Sequence, residues 1–116
     1  MKVSTLKLVT TDLNCVVDYL NYNMKFSCTD YHDQIAVLSN ESHVSKQNNQ
    51  NVNMVILKSN QGYIDIDIIE NETKSRFFGL RNNFINDVNK VLDRFCEEYI
   101  ISQKKPSSLI YDALGA

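Results

Sequence analysis

The sequence predicts an α+β domain: a mostly antiparallel sheet of five to six strands, with a short N-terminal helix and a long C-terminal helix packed on one face. Three observations predict it. The first residues alternate apolar with polar and then switch to three- and four-residue spacing, which reads as strand followed by helix. Between residues 24 and 70, short runs rich in β-branched residues are separated by turn-forming Asp, Asn and Gly. From residue 80 a single amphipathic stripe runs on for about six turns.

Residues 2–9, KVSTLKLV, form the expected first strand. Thr11 or Asp12 is a sound N-cap for a helix beginning there. Leu13, Val16, Val17 and Leu20 hold the apolar positions of that short helix over 12–22, with Asn21 and Asn23 suited to its end. Residues 24–30 and 34–40 read as two strands joined by a tight turn around 30–33. Ile35 and Val37 face one way and Ala36 and Leu38 the other, so the second of these strands expects cover on both sides. Residues 41–51 hold one apolar side chain in eleven and are expected to be a mobile polar loop.

Residues 52–59 and 63–70 make the clearest hairpin, with Asn60, Gln61 and Gly62 in the turn. The first of these strands is apolar on both faces, as a central strand would be. In the second, Ile64, Ile66 and Ile68 face the core while Tyr63, Asp65 and Asp67 face out. Closing the hairpin with Leu57 opposite Ile64 sets Lys58 diagonal to Asp65, within ion-pair reach. Residues 74–79, KSRFFG, fit either a further strand or the first turns of the long helix. Gly79 would cost the helix about 1 kcal/mol relative to Ala, which favours a strand that ends there.

The long helix is expected over 80–103. Leu80, Phe84, Val88, Val91, Phe95 and Tyr99 form its stripe, and Ile85, Leu92 and Cys96 widen it. Each large apolar side chain stabilises by roughly 1.5–3 kcal/mol only when it is covered, so this stripe needs the sheet. Pro106 stops any continuation of the helix. The expected organisation is therefore a single domain over 1–105 and a C-terminal tail over 106–116.

Composition narrows the function classes. Twelve Lys and Arg against fourteen Asp and Glu give a net charge of −2, and no basic stripe offers itself to phosphate. That argues against a nucleic-acid partner. No apolar run approaches the roughly 18 residues of a membrane span, and the N-terminus lacks a signal-peptide layout. Cys15, Cys28 and Cys96 are odd in number and show no CxxC spacing, so reduced thiols and a cytoplasmic location are expected. Fourteen Asn, ten Ile and an excess of Lys over Arg match AT-rich coding, as in a low-GC bacterium or its phages and plasmids.

Few residues suggest chemistry. Asp65 and Asp67 share a strand face with Glu70 nearby, and paired carboxylates can hold Mg²⁺ or Ca²⁺ or divide acid and base roles. Further oxygen ligands are not signalled, so a solvated sheet face is the plainer reading. Cys28, Asp30, His32 and Asp33 crowd one hairpin but lack the second ligand pair of a zinc site. His43 lies in the polar loop and reads as solvated. The three glycines stand apart, so no phosphate-cradling loop exists, and no cofactor is implied.

The expected function is a small non-catalytic protein-interaction module: an adaptor, an inhibitor or a self-associating subunit. Its contacts are assigned to Leu109, Ile110, Tyr111 and Leu114 of the tail, whose four apolar side chains cannot hold a shape alone in water. The alternative is a small metal-dependent enzyme or ligand binder using Asp65 and Asp67, with Glu70 as a third ligand.

Overall fold

The computed structural model describes residues 2–40, 53–70 and 83–104. The polar loop 41–51, the ambiguous patch 74–79 and the tail 106–116 lie outside the described residues. The described elements run β1 (Lys2–Leu8), α1 (Leu13–Met24), β2 (Cys28–His32), β3 (Ile35–Asn40), β4 (Asn53–Ser59), β5 (Ile64–Glu70), α2 (Phe84–Tyr99) and β6 (Gln103–Lys104). All six strands join one sheet in the order β2-β3-β4-β5-β1-β6, and every pairing is antiparallel. The architecture is the expected α+β arrangement of two helices on one sheet.

The pleat decides which side chains meet the helices. Leu6 and Leu8, Ala36 and Leu38, Val55 and Leu57, and Ile64, Ile66 and Ile68 are matched by register onto one face, and all are buried. Val16, Val17 and Leu20 of α1 join them, with Phe84, Val88, Val91, Leu92, Phe95 and Cys96 of α2. α1 lies over β3 and β4, α2 lies over β5, and the two helices touch each other. Within α2, the stripe read from the sequence is thus buried from Phe84 to Cys96, while Leu80 lies outside the described residues. Tyr99, at its end, is 51% exposed.

Local signals account for most helix ends. Asp12 caps α1 by accepting the Cys15 N–H at 3.0 Å. The helix continues past Tyr22 to Met24, and Lys25 rather than an asparagine takes the left-handed conformation that stops it, at φ +55°. Consequently residues 24–27 are not strand; β2 begins only at Cys28. Asn21 of α1 donates to the Thr29 hydroxyl at 3.1 Å and ties the helix to that edge strand.

α2 is shorter than the sequence pattern suggests. It ends at Tyr99, where Ile100 turns left-handed at φ +54° and both Ile100 and Ile101 donate to the Cys96 carbonyl. The turn brings Ile101 back onto the core and lays Gln103–Lys104 beside β1, with Val9 N–H donating to Ser102 O at 2.9 Å. Strand pairing and burial of Ile101 outweigh one further helical turn. The expected stop at Pro106 is reached too late to matter. Gln103 Nε2 also donates to Asp93 Oδ1 at 2.7 Å, fastening the new strand to the helix.

The turn has a cost that a substitution can recover. A β-branched residue in the left-handed region is strained by about 1–2 kcal/mol, and Ile100 is 93% exposed, so its side chain returns nothing. Ile100→Gly relieves the strain and concedes about 0.4–1 kcal/mol of unfolded-chain entropy. The expected result is a gain of about 0.5–1 kcal/mol, read as a higher urea midpoint with an unchanged slope.

The β4–β5 hairpin closes one pair nearer its tip than expected. Ser59 pairs with Ile64, and Asn60 N–H donates to Tyr63 O at 2.8 Å across Gln61 and Gly62, with Gly62 at φ +84°. Leu57 therefore faces Ile66, and Lys58 sits directly opposite Asp65. The correction is a shift of two residues, which leaves every side chain on its predicted face.

Candidate functional site

The second face of the sheet carries no described element. Register places three cross-strand rows on it. One row reads Val3, Ile69, Met54, Ser39, Cys28, the next Thr5, Asp67, Ile56, Val37, Asp30, and the third Lys7, Asp65, Lys58, Ile35, His32. Val3, Ile69, Met54, Ile56, Val37 and Ile35 make a contiguous apolar band, half-buried and outside the core cluster. Sequence reading expected cover on both sides of residues 34–40 and 52–59. The described helices supply it on one side only.

The charged corner beside the band is internally matched. Asp65 Oδ1 lies 3.8 Å from Lys7 Nζ, and its Oδ2 accepts from Asn60 Nδ2 at 3.0 Å. Lys7 Nζ also sits 4.5 Å from the centre of the Tyr63 ring. The expected partner of Asp65 was Lys58; the structure pairs it with Lys7, on the strand on its other side. Partial burial, and then the neighbouring Asp65 charge, hold the Asp67 carboxyl above its ordinary value of 3.8.

A carboxyl that binds its proton more readily folded than unfolded opposes folding when ionised. That penalty is full above the raised value and fades as pH falls through it toward 3.8. Asp67→Asn should therefore raise Tm at pH 7, and the difference from the parent should shrink steadily as pH is lowered to about 4. Thermal scans at several pH values check this.

Glu70 does not join the two aspartates. Strand alternation puts it on the opposite face, where it is 4% exposed and its Oε1 accepts the Ile85 N–H at 3.0 Å. It caps the N-terminus of α2, where backbone N–H groups and the helix dipole favour an anion. Asn83, the residue before the helix, makes no side-chain cap bond of its own. The three-carboxylate arrangement is thereby dissolved. Among the described residues no three metal-ligating side chains converge.

The hairpin cluster is spread out as well. Cys28 Sγ donates to Asp30 Oδ2 at 3.6 Å, while His32 follows on the same strand and Asp33 occupies the turn at φ +54°. Three intervening pairs of the β2–β3 ladder separate His32 from the Cys28 row. His43 and the four tail residues Leu109, Ile110, Tyr111 and Leu114 lie outside the described residues.

An open groove escaped the sequence reading. Lined by Asp12, Asn14, Cys15, Asp18, Tyr19 and Tyr99, it forms where the start of α1 meets the end of α2. Tyr19 donates to Glu98 Oε1 at 3.1 Å there. The nearby Cys15 thiol is the main influence holding the Tyr99 hydroxyl above its ordinary value. Helical spacing could have shown that Cys15 and Tyr19 share a face, but not that Tyr99 would overhang it. Among the described residues no helix is long and apolar enough to cross a membrane. No family model, no curated protein and no solved structure matches this chain.

Proposed function

We propose that this chain is a non-catalytic protein-interaction module that receives an extended apolar segment of a protein on the sheet face that no described element covers. The observation that carries the reading is the apolar band of Val3, Ile35, Val37, Met54, Ile56 and Ile69, contiguous across four strands on the side away from both helices. Contiguous apolar surface of this kind gains from being covered, at roughly 25 cal/mol per Å² removed from water.

The charge pattern speaks to the kind of partner. Two copies packed face to face about an axis along β4 would bring Val37 against Asp67 and Ile35 against Asp65. Burying a carboxylate against an aliphatic side chain is strongly unfavourable. A segment of different sequence, apolar over β3 and β4 and polar over β5, fits better than a second sheet.

Peptide display against the full chain tests the reading. Selected peptides should carry several large apolar residues. They should bind the Ile56→Asp variant at least about tenfold more weakly, because a desolvated charge opposes the contact by more than about 1.4 kcal/mol. Circular dichroism confirms that the variant is folded. Peptides that bind parent and Ile56→Asp alike, or a screen that enriches nothing, would sink the proposal.

A further inference from the structure

We infer that the edge strand β2 is a self-association site, where a second copy of this chain pairs its own β2 antiparallel about a two-fold axis and continues the sheet. A sheet edge presents unpaired N–H and C=O groups, and most edges are guarded by Lys, Pro, a bulge or short length. The opposite edge of the described sheet is guarded in that way: β6 is two residues long and ends in Lys104. β2 runs for five residues against β3 without a bulge and contains neither Lys nor Pro. Its Asp30, Tyr31 and His32 are exposed.

Charge sets the register. A two-fold axis normal to the sheet pairs residues of the same face, so the pairing centres on Thr29, Asp30 or Tyr31. Centring on Asp30 puts two carboxylates directly opposite one another, which is destabilising. Centring on Thr29 sets Asp30 against Cys28 and leaves His32 unused. Centring on Tyr31 sets Asp30 opposite His32 of the second copy, twice. A carboxylate accepts an imidazole N–H in either protonation state of the ring, so both contacts are attractive. The Cys28 thiol reaches one Asp30 oxygen at 3.6 Å, a weak bond that leaves the carboxylate able to accept a stronger one. The other charged groups around His32 are Asp33 in the adjoining turn and Lys58 on β4, which oppose each other in sign.

The helix side of the edge has room for the arrangement. Thr29 and Tyr31 pair with the buried Leu38 and Ala36, so they take that side. α1 lies over β3 and β4, so in a continued sheet the two α1 axes stand about four strand spacings, or about 19 Å, apart. Packed helices need only about 8–10 Å. The two Tyr31 rings, each 48% exposed in the single chain, meet across the axis in the gap. The contact is small, so association is reversible and its dissociation constant is on the order of 0.1 mM. It does not use the apolar band, so the dimer presents two bands on one side of a continued sheet and can hold a two-segment partner bivalently.

Sedimentation equilibrium of the full chain tests the inference from about 10 μM to about 1 mM, the range that brackets such an affinity. A monomer–dimer equilibrium is expected. Asp30→Lys should weaken it at least about tenfold, because a lysine then faces His32 at both contacts. Asp30→Lys/His32→Asp should restore it to within about threefold of the parent, because the opposite charges are back in register. Circular dichroism confirms that both variants are folded. Tyr31→p-benzoylphenylalanine, irradiated in the full chain where dimer prevails, should give a dimer-mass product linked within β2. A chain that stays monomeric throughout would overturn the inference. So would a dimer that Asp30→Lys leaves intact, a double variant as weak as the single one, or a dimer-mass link outside β2. Ile56→Asp should leave the equilibrium unchanged; a dimer lost in that variant would assign self-association to the sheet face and overturn the edge pairing.

Discussion

Phe95→Ala lowers stability by about 3–5 kcal/mol, the loss expected when a buried aromatic ring leaves a cavity. Phe95 is 1% exposed at the centre of the α2 stripe. Its ring meets Tyr19 of α1 edge-on at 5.1 Å and Tyr99 at 4.7 Å, so it is the joint between the two helices. Small domains hold about 5–15 kcal/mol in all, so the variant stands near the edge of folding. Phe95→Leu keeps most of the volume and should lose less than half as much. Urea titration followed by circular dichroism separates the two. Equal losses would mean that the site relaxes around either change and that Phe95 is not the joint.

Glu70→Ala lowers stability by about 2–3 kcal/mol, because a buried, charged acceptor disappears and the Ile85 N–H is left without it. Glu70→Gln keeps an acceptor of the same shape and loses only the charge that complements the helix dipole, so about 1 kcal/mol is expected. The ranking Ala below Gln below parent identifies a cap. A metal ligand would instead tie both losses to added Mg²⁺ or Ca²⁺, so titrating either ion into the parent during the same denaturation series distinguishes the two roles.

Glu70 also marks the limit of reading by strand period. Two-residue alternation on one strand was enough to send Asp65 and Asp67 to one side and Ile64, Ile66 and Ile68 to the other, and the same count sends Glu70 to the core. A buried glutamate is unusual on its own terms. It becomes sensible only once the start of α2 is known to lie above it, and that depends on where a helix much later in the chain packs. The hairpin register misjudged by two residues is a milder case. Side-chain faces survived the shift, whereas the Asp65 partner changed, because a salt bridge depends on which strands are neighbours and β1 is the other neighbour of β5.

The sequence by itself determined the two helices and strands β1 to β5 as element types, the face that β5 buries and the stripe by which α2 meets the sheet. These follow from periods of about 2 and 3.6 acting on local apolar patterns. Tertiary structure alone decided the strand order and the end of α2 at Ile100. It also put Glu70 under a helix terminus and left one sheet face without a described cover. Each of these joins residues far apart in the chain. Their energies come from desolvation and long-range pairing, which no local pattern encodes.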